Sequence, residues 1–149
     1  MTRRSIFLLT LTLLALFTTN AWAGKKTSQV SKEVAQLTVT RFVDALNSMD
    51  TSKALKTLAP SDRMVLGGKD DLLGLISESK LLNPKVEKVE SIHENNRLIG
   101  AKVTVSLEEI DPLDATRVPK RYTWVLVKEG KTYKVSVMSL WMAKKDAEK

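Results

Sequence analysis

Two hydrophobic periods share this chain, and they change over at Asn83-Pro84. Upstream, Val30, Val34, Leu37, Phe42, Ala45, Leu46 and Met49 recur at helical spacing and predict one apolar stripe from about Ser31. Downstream, Ile99, Ala101, Val103, Val105 and Leu107 alternate with Gly100, Lys102, Thr104, Ser106 and Glu108, the period of a strand with one buried face. A chain with its helices first and its strands last can bury both by laying the helices on one face of an antiparallel sheet. The expected fold class is therefore α+β, with Ile99 to Leu107 facing the helices.

Local signals divide the two halves further. Ser28 or Ser31 can cap the first helix, and Asp50-Thr51-Ser52 can cap a second that carries Ala54, Leu55 and Leu58. Pro60 is expected to end that second helix. Arg63 to Leu66 reads as one more turn before the break at Gly67-Gly68. Asp70 and Asp71 then favour a helix start, with Leu72, Leu73, Leu75 and Ile76 as its apolar side. Asn83-Pro84 closes the helical half. Val86 to His93 predicts a weakly alternating strand, turned through Glu94-Asn95-Asn96. Asp111-Pro112-Leu113-Asp114 is a loop, Val118 to Lys128 a third strand, and Glu129-Gly130 a tight turn into a last strand from Lys131 to Trp141.

The first 23 residues have the build of an export leader. Arg3 and Arg4 precede an apolar run from Ile6 to Phe17, and Ala21-Trp22-Ala23 offers a signal peptidase its small-x-small triplet. The run falls short of the roughly 20 residues that span a bilayer, which argues against an uncleaved anchor. Thr2-Arg3-Arg4-Ser5 faintly resembles a twin-arginine signal, but nothing here looks like a folded-in cofactor site, so Sec-type export to a periplasm or the cell exterior is expected. Cleavage after Ala23 leaves 126 residues, lowers the net charge from +7 to +5, and leaves no membrane segment. That length suits one domain over residues 31–142, preceded by a loose segment at 24–30 and followed by a charged tail at 143–149. The chain has no cysteine, so neither lipid attachment nor disulfides contribute, and the packed core alone must stabilise it.

Phe42-Val43-Asp44-Ala45-Leu46-Asn47-Ser48-Met49-Asp50, followed by Ala54, Leu58 and Pro60, resembles the opening helix, turn and second helix of the nuclear-transport-factor-2-like (ketosteroid-isomerase-like cone) superfamily. Trp124-Val125-Leu126-Val127-Lys128-Glu129-Gly130-Lys131-Thr132-Tyr133-Lys134-Val135 resembles its closing hairpin. With the order of elements, the resemblance covers nearly all of Ser31 to Trp141. It implies a cone-shaped α+β roll, N-terminal helices packed on a curved antiparallel sheet. The chain departs from the pattern at Met49, where a glycine is usual. Enzymes of the superfamily place a carboxylate, tyrosine or histidine inside the cone. Here the opening helix has no tyrosine and the face from Ile99 to Leu107 is aliphatic, so no catalytic residue carries over. The fold hosts enzymes and non-enzymes alike.

Several chemistries are poorly supplied. One histidine and no cysteine leave no zinc site, and no serine sits in a nucleophile elbow. Gly67-Gly68-Lys69-Asp70 lacks phosphate-loop spacing. His93 stands alone beside a polar turn, and Asp44 falls on the solvent side of its helix. Glu108, Glu109, Asp111 and Asp114 form an acidic loop without calcium-binding spacing. No basic run is interleaved with aromatics, which argues against nucleic acid. No cofactor and no metal are expected. The aromatic residues are more informative, because Tyr122, Trp124, Tyr133 and Trp141 all fall in the last hairpin, with Phe42 expected opposite. They can fill a core, or line an apolar pocket edged by tyrosine hydroxyls. The expectation is an exported, non-enzymatic binding domain for a small apolar ligand or an envelope protein, with a homodimer possible. The alternatives are an isomerase- or hydratase-type enzyme using a buried carboxylate, and a periplasmic assembly or scaffold component.

Overall fold

The computed structural model describes residues 28–66 and 80–137. Three helices precede four strands: α1 (Lys32–Asn47), α2 (Thr51–Thr57), α3 (Pro60–Val65), β1 (Lys80–Glu94), β2 (Arg97–Ile110), β3 (Arg117–Glu129) and β4 (Thr132–Ser136). The strands form one antiparallel sheet in the order β1-β2-β3-β4, and the helices pack on one face of it. The leader, the helix expected after Asp70, Trp141 and the charged tail lie outside the described residues.

Ser31 caps α1, its Oγ accepting from Val34 N–H at 3.2 Å. The buried stripe runs through Ala35, Val39, Phe42, Val43, Ala45 and Leu46. Val34, Leu37 and Met49 were expected on that stripe and are instead 41%, 52% and 64% exposed. Apolar residues on α1 form two overlapping stripes at helical spacing, and the sheet covers the one through Ala35, Val39, Phe42, Val43 and Leu46. Met49 takes φ 55, the left-handed conformation that a glycine would adopt more cheaply, so the turn keeps its tight geometry. Asp50 then caps α2, accepting from Lys53 N–H at 3.1 Å, and this bond holds its carboxyl below the usual range.

Pro60 does not end α2. That helix stops at Thr57, and Leu58 and Ala59 turn extended, Leu58 bridging Val135 and Ala59 N–H donating to the Val135 carbonyl at 2.8 Å. Pro60 is the first residue of α3, where its missing N–H costs nothing and its ring biases Ala59 towards extended geometry.

Asn83-Pro84 likewise falls inside β1 rather than before it. Between Leu82 and Lys85 the register slips by one residue, a bulge on an edge strand, where a proline is tolerated. Further slips at Val86/Lys88 and Ile92/His93 explain the weak alternation of this strand. Two amides of α1 serve its backbone. Gln36 donates to the Pro84 carbonyl at 2.7 Å and accepts from Val86 N–H at 2.8 Å. Asn47 donates to the Leu81 carbonyl at 2.6 Å and accepts from Leu81 N–H at 3.1 Å. Before the helix, Val30 is buried and its N–H donates to Ser91 Oγ at 2.9 Å, so it belongs to the packed part.

Ala101, Val103, Val105 and Leu107 face the helices as expected, but Ile99 is 40% exposed and Leu98 is buried in its place. His93 pairs with Leu98 and Ile92 with Gly100, so Ile99 is the extra residue of a bulge, and one extra residue inverts the facing of everything beyond it. Next to the bulge, a Cβ on Gly100 would lie 2.1 Å from the Leu126 carbonyl oxygen, which reserves the position for glycine. Asn95 and Asn96, at φ 49 and 62, form the two-residue turn between Glu94 and Arg97. Gly130, at φ 59, serves the β3–β4 turn.

Candidate functional site

Pairing between β2 and β3 sets the inner face of the sheet. Val103 stands opposite Trp124 and Val105 opposite Tyr122. Phe42 reaches Trp124 from α1 in an edge-to-face contact, with centroids 5.3 Å apart and planes at 86°. Both rings are 3% exposed and belong to the core. Tyr122 lies nearly parallel to Trp124 at 6.3 Å and is half-buried, its hydroxyl donating to Glu109 Oε2 at 3.0 Å. Burial first, then the hydrogen bond and negative charge of Glu109, push the Tyr122 phenol up to about 12. A neutral phenol and a carboxylate are thus held together where the aliphatic face gives way to polar groups.

The expected aromatic set does not converge at one point. Phe42, Trp124 and Tyr122 form a connected run. Tyr133 instead lines a separate groove of ≈260 Å³ between α1 and the start of β4, with Val34, Leu37 and Arg41. A second, wider crevice of ≈690 Å³ lies between the two hairpin ends, where Leu98, Ile99 and Val127 meet Arg97 and Lys128.

Other candidates resolve into structural roles. The His93 ring donates from Nε2 to the Ser28 carbonyl at 2.8 Å, tying the segment before α1 to the end of β1. Asp44 is exposed. In the acidic loop Asp111 accepts from Leu113 N–H, and Asp114 accepts from the hydroxyl and N–H of Thr116, which holds its carboxyl low. Glu108 pairs with Arg117, 3.7 Å away. Among the described residues no group of three such side chains could hold a metal. No helix among them is long and apolar enough to cross a membrane.

Two carboxylates carry more than the sequence reading gave them. Glu109 was placed in the acidic loop, yet it continues the alternation of Val103, Val105 and Leu107, a signal that period two already contained. Asp62 is fully buried, accepting from Ser136 Oγ at 3.2 Å and from Val137 N–H. As an acid in the first turn of a short helix, it gave no sign of this in the sequence.

No protein-family model matches the chain, and no curated protein matches it. Among solved structures it is similar to the ketosteroid isomerase-like protein from Erwinia carotovora atroseptica, at 16% identity and a TM-score of 0.44, over 71% of this chain and 92% of that one. The α+β architecture itself rests on the strand pairing and helix packing described above.

Proposed function

We propose that the chain is exported, loses residues 1–23, and acts as a binding domain for a small, mostly apolar ligand with one polar end. The observation that carries this reading is the Tyr122–Glu109 pair, half-buried beside the sealed Phe42–Trp124 contact. An apolar wall with a few convergent polar groups is the usual make-up of a ligand site. In this reading the ligand's polar end takes over part of the Tyr122 hydrogen bonding, while its apolar body lies against the accessible side of the Tyr122 ring. An enzyme of the isomerase or hydratase kind is the second reading, and Glu109 is its candidate carboxylate. Asp62 fits that role poorly, because a backbone N–H already holds its carboxylate.

The test is a thermal-shift and tryptophan-emission screen of the mature protein against neutral apolar ligands with one hydroxyl or carbonyl, such as sterols, quinones and fatty alcohols. A binder at a hundredfold excess over Kd should add about 2.7 kcal/mol to stability. Tyr122→Phe should weaken that ligand while leaving the fold intact. If no ligand moves the melting temperature, the small-ligand reading fails and an envelope protein becomes the better partner. Turnover of a bound ligand that is lost in Glu109→Gln would favour the enzyme.

A further inference from the structure

The groove between α1 and β4 differs in chemistry from the inner face of the sheet. Val34 and Leu37 form its floor on the solvent side of α1, 41% and 52% exposed, and half-buried Tyr133 joins them from β4. Arg41, Lys131 and Lys134 also line it, and among the described residues none of the three pairs with a carboxylate. The hydroxyls of the lining threonines already donate to the chain: Thr38 to the Val34 carbonyl at 2.8 Å, Thr57 to Ala54 at 2.7 Å, Thr132 to Glu129 at 3.1 Å. Lys134 places one of its protons on the Lys56 carbonyl at 2.5 Å and keeps two. A ligand here meets an apolar floor and cationic donors, with no carboxylate in the lining to repel an anion.

We propose that this groove is a site for a single-chain carboxylate amphiphile, its head held by Arg41, Lys131 and Lys134 and its tail laid on Val34, Leu37 and Tyr133. The groove is small, ≈260 Å³, and open to solvent along one side, so a short-chain carboxylate can lay its tail on the floor without having to be enclosed. The proposal is independent of the Tyr122–Glu109 reading, since the two sites share no residue.

Octanoate is the probe, with 1-octanol as the same tail on a neutral head and acetate as the head without the tail. Titration of the protein followed by methyl NMR should show octanoate shifting Val34 and Leu37 signals, with 1-octanol and acetate each at least about tenfold weaker. Losing one charged hydrogen bond costs about that factor, so Arg41→Gln and Lys131→Gln should each weaken octanoate about tenfold at an unchanged melting temperature. Tyr122→Phe should leave octanoate binding as it was, which separates this site from the other. Equal binding of 1-octanol, shifts confined to residues away from Val34 and Leu37, or an acidic peptide binding where octanoate does not would each overturn the proposal.

Discussion

Asp62 and Glu109 both carry a carboxylate into the fold, and the contrast between them shows what burial alone can and cannot say about function. Asp62 sits where α3 meets the end of β4, fully enclosed, and its acceptors hold Val137 N–H and the Ser136 hydroxyl. It acts as a missing strand would, satisfying the outer edge of β4 beyond the point where Ala59 bonds to Val135. Glu109 lies on the inner face of β2, half-buried, and its phenol partner is a side chain that can turn away. A carboxylate held by backbone donors cannot release them without opening the sheet. One held by a side chain can exchange that partner for a ligand. The deeper carboxylate is therefore the structural one, and the shallower one is the candidate for chemistry.

The largest expected effect is at Asp62. Truncation to alanine strands the buried Val137 N–H, and should cost about 3 kcal/mol in urea denaturation. Asp62→Asn keeps one acceptor oxygen and should lose less. A cost below about 1 kcal/mol for the alanine variant would show that water replaces the carboxylate, and the contrast with Glu109 would collapse.

Gln36 gives an intermediate case, because it also serves backbone groups but carries no charge and is only partly buried. Gln36→Ala should cost about 1–2 kcal/mol, with amide exchange at Val86 rising more than elsewhere in β1. Uniform exchange along the strand would mean that the bulge is held by packing and not by the amide.

Tyr122→Phe should be the mildest, costing under about 1 kcal/mol at neutral pH. Its signature is in the pH dependence. The folded phenol is raised from 10.0 to about 12, so its share of stability is complete below pH 10 and is lost as the pH rises towards 12. The phenylalanine variant should lack that loss, and the late tyrosinate absorbance step should vanish with it. If the step that Tyr122→Phe removes lies near pH 10, the hydroxyl is in water, away from Glu109.

The same contrast marks how far the sequence can be read. The change of period at Asn83-Pro84 was a sound guide to helices followed by an antiparallel sheet, because amphipathic period depends on which residues must leave water and on little else. The caps at Ser31 and Asp50 and the turns at Asn95-Asn96 and Gly130 were legible for the same reason: each is a local bargain between one side chain and its own backbone. Met49 shows the limit of such a rule, since the turn keeps its left-handed geometry without the glycine.

Facing and partnership were decided only in three dimensions. α1 offers two apolar stripes, and the sheet buries Ala35, Val39, Phe42, Val43 and Leu46 while leaving Val34 and Leu37 to the groove. A single bulge at Ile99 inverts the end of β2, and the two prolines expected as breaks became the start of α3 and part of an edge bulge. The aromatic run from Phe42 to Tyr122 depends on strand register, which places Trp124 opposite Val103, and Tyr133 fell elsewhere because it pairs with Lys128 on the far side of the hairpin turn. Sequence by itself determined that helices precede strands and where the caps at Ser31 and Asp50 and the turns at Asn95-Asn96 and Gly130 fall, since those follow from each residue's own solvation and dihedral preference. Which polar groups meet, Asp62 with Val137 and Tyr122 with Glu109, required tertiary structure, because partners 75 and 13 residues apart are chosen by packing and not by spacing.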